Sequence, residues 1–229
     1  VCDAIKAGRF PEAELRDAKE AFRRVPIYEK KERPIIGVVG EIYVRSNRFS
    51  NENLVKQLEA LGGEVRLPPI GEWIYYTNFC SRRRNWKKRN YGDWLRTTIN
   101  DIFQRKDEHN ALNILDGDLR SDHEPTTKEI LSLASPYIHD SFEGEAVLSI
   151  GKALDYMQKG CHGIVNAMPF TCMPGTVVNA VLKRVREGNG NVPYLNMVYE
   201  GLEDTNGRTR MEAFVHQARE FMERRLRIV

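Results

Sequence analysis

Apolar residues along this chain change their period several times, and each change predicts an element. Between Pro11 and Val25, the residues Leu15, Ala18, Ala21, Phe22 and Val25 recur at helical spacing, and Pro11 suits a first turn. Residues 34–40, PIIGVVG, are a short and nearly continuous apolar run, the pattern of a parallel strand buried on both faces. Helical periodicity returns over 51–61 through Leu54, Val55, Leu58 and Leu61, and Gly62-Gly63 stops it. A second strand is predicted at 64–68, which completes a βαβ unit. The alternation resumes with a helix at 145–158, a strand at 161–168, a helix at 175–187, a strand at 193–199 and a closing helix at 207–226. The prediction is an α/β fold: an open, mainly parallel, doubly wound sheet of about four strands, flavodoxin-like or Rossmann-like.

Residues 70–140 interrupt this rhythm. They hold all three Trp residues, a basic cluster, and weak helical patterns near 85–105 and 127–134. A helical insertion between the second and third strands is expected there. Residues 1–32 are expected to form a helical extension with a charged linker from Glu29 to Arg33, and 33–229 the α/β domain.

Composition narrows the class without naming an activity. The chain has 229 residues, 41% hydrophobic and 29% charged, which is the composition of a folded domain. A net charge of +3 does not by itself imply a polyanionic partner, so local clustering matters more. No apolar run approaches the roughly 18 residues of a membrane span, and no signal-peptide pattern is read. The four cysteines, Cys2, Cys80, Cys161 and Cys172, show no close spacing, which fits neither a disulfide framework nor a CxxC zinc site. A reducing cytoplasm and no membrane association are therefore expected. The chain starts Val1-Cys2-Asp3-Ala4-Ile5 without a Met, so it is expected to be a piece of a longer protein.

Ligands of open parallel sheets bind beyond the carboxyl ends of the strands, near the reversal of strand order. Three predicted segments fall there: Glu41 to Asn47, Pro169 to Gly175, and Glu200 to Arg210. Strand-ending loops are polar in any case, so their polarity alone does not decide function. Cys172 carries the best chemical case. It lies between a strand and a helix, where backbone N–H groups and the helix dipole favour a thiolate, both nucleophile and soft metal ligand. The competing reading is a small buried apolar residue. Cys161, at a strand start, is expected in the core; Cys80 and Cys2 stay open.

Arg82-Arg83-Arg84 and Lys87-Lys88-Arg89 place six positive charges in eight residues, with Trp86, Tyr91 and Trp94 nearby. Single-stranded nucleic acid, a phosphorylated coenzyme, or a plain solvated helix face with inward aromatics would each account for them. The low overall charge disfavours a dedicated nucleic-acid binder. Gly37 and Gly40 do not make a GxGxxG fingerprint, and no HExxH, P-loop or GxSxG occurs. The five His are scattered. Arg208 and Arg210 open the last helix, where cations oppose the helix dipole, so an anionic partner is expected: Glu200, Glu203 or a ligand.

The segments GIVNAMPFTCMPGT, PYLNMVYEG and NGRTRMEAF resemble the second half of the 2-hydroxyacyl-CoA dehydratase and benzoyl-CoA reductase family, in its branch of large activase-related fusion proteins. RPIIGVVGEIYVRSN and ENLVKQLEALGGEV look like that branch's entry into the same domain, so the resemblance covers about residues 33–225. It implies two α/β half-domains facing each other around a [4Fe–4S] cluster, fed with electrons by an ATP-dependent activase. It implies Cys172 as a cluster ligand, an upstream half-domain of the same protein as partner, and an acyl-CoA as the substrate class. It supplies no role for Cys80 or Cys161. One thiolate does not hold such a cluster, so the chain alone is expected to lack it and to be inactive. Glu41, Tyr43 and Arg45 are expected to line the cleft with Asn166 below, and Arg208 and Arg210 to border it. The alternative is a non-catalytic domain that docks a partner protein or a coenzyme.

Overall fold

The computed structural model of the protein describes residues 1–26, 32–118, 124–201 and 206–227. Most of the expected charged linker (29–31) and Glu203 lie outside the described residues. In chain order the elements are α1 (Cys2–Lys6), α2 (Glu12–Arg23), β1 (Ile35–Gly40), α3 (Ile42–Ser46), α4 (Leu54–Ala60), β2 (Glu64–Arg66) and α5 (Ile70–Lys87). There follow α6 (Tyr91–Leu115), α7 (Thr127–Ala134), a single 3-10 turn at Asp140–Phe142, α8 (Glu145–Gln158), β3 (Gly163–Pro169), α9 (Met173–Gly188), β4 (Tyr194–Tyr199) and α10 (Gly207–Leu226).

Two compact units result: Val1–Lys31 with Ile74–Glu124, and Glu32–Trp73 with Pro125–Val229. The second unit holds the sheet. Its four strands are all parallel, in the order β2-β1-β3-β4. The register pairs Gly40 with Ala167 and Ala167 with Met197, so β1 and β3 end side by side. This is the open, doubly wound α/β architecture that the alternating pattern predicts. Helices α4 and α10 pack on one face, and α8 and α9 on the other. Opposite faces are required because the chain moves outward from the centre in two directions and each crossover keeps the same hand.

The core on the α4/α10 face joins Ile36, Val38, Val165 and Met197 of the strands to Leu54, Leu58, Met211 and Phe214 of the helices. Each fully buried apolar side chain of this size contributes roughly 1.5–3 kcal/mol. On the other face α8 is buried along almost its whole length, because α7 presses Ile130, Leu131 and Ala134 onto it. The helix expected at 127–134 thus belongs to the sheet unit, and the departure from the α/β rhythm closes at Glu124 rather than near 140. β2 is shorter than its predicted run, ending at Arg66 just before Pro68 and Pro69.

The first unit is helical: α1, α2, most of α5, and α6. In place of a weak pattern at 85–105 stand two long helices broken at Lys88–Asn90, where Arg89 takes φ +56° and the Asn90 side chain caps α6 by accepting from Asp93 N–H at 3.3 Å. Lys19 donates to the carbonyls of Ile114 and Asp116, and Arg23 pairs with Asp118, so these α2 contacts fall at the carboxyl end of α6. Among the described residues no helix is long and apolar enough to cross a membrane.

Candidate functional site

Strand order reverses between β1 and β3, since β1 leads out to β2 and β3 to β4 in the opposite direction. The carboxyl ends of these two strands flank the crevice where ligands of such sheets bind. Two turns meet there.

The first begins at Gly40, whose φ of +115° suits glycine. A Cβ added there would lie 2.1 Å from the Ala167 carbonyl oxygen and 2.8 Å from Asn166 Oδ1. The chain then enters α3, which replaces the loop expected over 41–47. Glu41 makes this helix: its carboxylate accepts from Tyr43 N–H at 3.1 Å and Val44 N–H at 2.7 Å. A second carboxylate, Glu145 at the start of α8, accepts from Ile42 N–H at 3.4 Å. Burial pushes the Glu145 carboxyl above the usual carboxylate range; the Ile42 N–H and Arg45 pull it down, and Glu41 adds to the upward push. Asn51 closes the far end of α3 through Nδ2 to the carbonyls of Val44 at 2.8 Å and Arg45 at 3.1 Å.

The second turn is Pro169–Cys172, closed by Cys172 N–H to the Pro169 carbonyl at 3.2 Å. It holds Thr171 at φ +61°, a conformation β-branched residues seldom adopt. Cys172 is the N-cap of α9 itself, not a residue three positions ahead of the helix. Its Sγ accepts from Gly175 N–H at 3.4 Å, and Pro174 sits in the first turn. A Cβ on Gly175 would meet Met168 at 2.7 Å, so glycine lets α9 start this close to β3. Cys172 is half-buried, while Phe170 and Met173 on either side are 61% and 62% exposed.

The candidates named from the sequence separate into inward and outward groups. Tyr43 is outward, 62% exposed. Arg45 is not a lining residue: it is 4% exposed, and its Nε has no hydrogen-bond partner. Burial lowers its pKa from the ordinary value, opposed by Glu72, Tyr156, Glu145 and Glu41. Arg45 lies on a five-residue helix packed on β1 and β3, and its side chain turns inward toward those acids. Asn166 is fully buried and structural. Its Nδ2 donates to Asn196 Oδ1 at 2.6 Å and to the Gly175 carbonyl at 3.3 Å, which ties β3 to β4 and to the start of α9. Arg208 pairs with Glu212 at 3.0 Å one turn along its own helix, and Arg210 donates to the Asn196 carbonyl. Among the described residues Arg208 thus meets Glu212, a helical neighbour, and remains largely exposed; Glu203 lies outside them.

Behind Arg45 lies a buried charged cluster that no pattern in the sequence announced. Lys152, 1% exposed, sits 3.5 Å from Glu72 and 3.4 Å from Asp155, and Lys159 reaches Asp155 at 3.0 Å. Ser149 Oγ donates to the Gly40 carbonyl at 3.4 Å. The available signal was the polar spacing Ser149, Lys152, Asp155 on a helix otherwise buried all round.

Within the sheet unit, Cys161 does not join Cys172. Cys161 lies before β3, at the amino edge of the sheet, fully buried, and burial pushes its thiol up to about 11. Cys2 and Cys80 belong to the helical unit. No group of three or more His, Cys, Asp or Glu that could hold a metal ion occurs among the described residues. The residues of this chain at the sheet edge thus supply one thiol and do not by themselves fit a four-iron cluster. The chain finds no match among protein-family models, curated proteins or solved structures.

Proposed function

We propose that the sheet unit is one half of an iron–sulfur protein related to the 2-hydroxyacyl-CoA dehydratases and their activases. Its Cys172 would give one ligand, and a separate half-domain would complete the set. The observation that carries this reading is the setting of Cys172: a half-buried sulfur at the N-cap of α9, beside the β1/β3 crevice, with a backbone N–H directed at it. A partner surface also suits the exposed Tyr43, Phe170 and Met173, since aromatic residues and Met are enriched at protein interfaces. The test is Cys172→Ser in the full-length protein, prepared anaerobically. Loss of iron and sulfide together with the paramagnetic signal of the reduced cluster is expected. An unchanged cluster content refutes the assignment.

A second reading is a non-catalytic docking domain for a partner protein or coenzyme, favoured by the single cysteine at this edge among the described residues of the sheet unit. It predicts that the wild-type full-length protein carries no cluster, which the same metal analysis and resonance spectrum decide.

A further inference from the structure

The first half of helix α6 turns an apolar row away from its neighbour α5. Its side facing α5 is polar: Asp101, 3% exposed, pairs with Arg82 at 3.2 Å and Arg105 at 3.0 Å, and Asn78 donates to Asp101 at 3.2 Å and Gln104 at 2.8 Å. Its outer side is apolar. Tyr91, Leu95, Ile99 and Ile102 are 57%, 53%, 43% and 59% exposed, and at 100° per residue they share an arc of roughly 80°. Phe103, 61% exposed, borders the stripe. A surface helix normally turns such a stripe toward a core, and single exposed apolar residues are common but an aligned row is not.

The surroundings of the stripe are basic. On α6 Arg96 and Lys106 stand beside it, and Lys87, Lys88 and Arg89 precede it, whereas Arg82 and Arg105 face α5 through Asp101. Trp86, 58% exposed, packs edge-on against Tyr91 at 5.7 Å between centroids and extends the apolar row toward Lys87, Lys88 and Arg89. Trp86 and Tyr91 of this cluster are thus not turned inward, whereas Trp94 is half-buried against Trp86.

We infer that this face of α6 is a docking surface for a protein helix with an apolar ridge and acidic flanks. The apolar row, roughly 17 Å long, matches three turns of a helix laid along it, read at i, i+4, i+8 and i+11. The basic rim selects acidic flanks and repels basic ones. A nucleic acid would use the cations and the ring faces of Trp86 and Tyr91 but leave Leu95, Ile99 and Ile102 against water or phosphate. Binding to an anionic membrane is the competing outcome that the vesicle arm decides. A second copy would bring one basic rim against another.

The experiment uses the whole chain and a synthetic amphipathic helix of about 20 residues, spanning roughly 30 Å. The peptide carries a Leu ridge with Glu flanks. Controls are the same ridge with Lys flanks and a scrambled Glu peptide. Further arms are a single-stranded oligonucleotide, phosphatidylserine vesicles, and sedimentation of the chain alone. Trp fluorescence and anisotropy read binding. The expected result is binding of the Glu-flanked ridge at least about ten-fold tighter than either control peptide, weakening with salt, and reduced by about ten-fold or more in Ile99→Asp. Ile99 is on the surface, so this variant should keep the wild-type circular dichroism spectrum and melting temperature. Equal binding of the three peptides overturns the inference. So does binding only to oligonucleotide or vesicles, or self-association that Ile99→Asp abolishes.

Discussion

Replacing Lys152 by Met tests whether the charged cluster behind the crevice holds the sheet unit together. Lys152 is almost completely buried, its Nζ lies between Glu72 at 3.5 Å and Asp155 at 3.4 Å, and it stands 5.2 Å over the Tyr156 ring. Met fills nearly the same volume, so the change removes the cation with little loss of packing. Breaking a buried ion pair by deleting one partner costs about 3–5 kcal/mol, because the charge left behind is uncompensated. Asp155 keeps Lys159 at 3.0 Å, which puts the expected loss near the lower end, about 3 kcal/mol. For a unit of this size that lowers the melting temperature by roughly 6–12 °C. Urea unfolding followed by circular dichroism reads it. Adding Glu72→Gln should recover at least about 1 kcal/mol, since the cost is a charge imbalance and not a lost contact. A loss below about 1 kcal/mol, or a double variant whose cost is the simple sum of the two, would refute the reasoning.

Two further outcomes follow from individual groups. Glu145 titrates above the usual carboxylate range when folded, chiefly through burial, so the folded state favours its neutral form. Its contribution to stability is then fully present below the unfolded carboxylate pKa and is lost as pH rises through the raised folded value. Glu145→Gln keeps the acceptor for Ile42 N–H and removes that loss, so it should be more stable than wild type at pH about 7 and equal to it at pH about 3. Denaturant titrations at both values check this, and a constant difference would count against it. For the cysteines, iodoacetamide at pH about 8 should label Cys172 in the native protein while Cys161, whose thiol burial holds near 11, stays unlabelled until unfolding. Mass spectrometry of the digest decides, and comparable labelling of the two would contradict their placement.

The sheet unit was legible because each of its strands is short, apolar and bounded, and because α4, α8, α9 and α10 turn one or more apolar faces to it. Where reading failed, a physical cause can be named. Ile42-Tyr43-Val44 has the composition of a strand, and Glu is an uncommon cap, so α3 was invisible; two hydrogen bonds from Glu41 outweigh the propensity of those residues. Helices α5 and α6 gave weak patterns because their contact is polar, through Asn78, Arg82 and Asp101, and hydrophobic periodicity carries no information about such a contact. Arg45 and Asn166 were placed at the correct end of the sheet, but a residue number fixes a Cα and not the direction of its side chain. Both point into the protein, where neighbours remote in sequence supply acids and amides.

This difference between position and direction bears on what the crevice can recognise. A phosphorylated coenzyme calls for cationic donors turned outward, and guanidinium groups serve best. Of the three arginines expected there, Arg45 is buried, Arg210 reaches the Asn196 carbonyl, and Arg208 is exposed in an i,i+4 pair with Glu212. The two acids at the mouth, Glu41 and Glu145, are turned to the N–H groups of α3, where they disfavour a bound anion. What faces outward beside Cys172 is Tyr43, Phe170 and Met173. Such side chains gain most of their energy from burial against another apolar surface. The edge is therefore better suited to meeting a protein surface than to gripping phosphates. If a coenzyme binds the complete protein, its phosphate contacts should come mainly from the partner half. Alanine substitutions of Arg208 and Arg210 should then leave coenzyme affinity within about two-fold of wild type, whereas a loss above about ten-fold would return those arginines to the binding site.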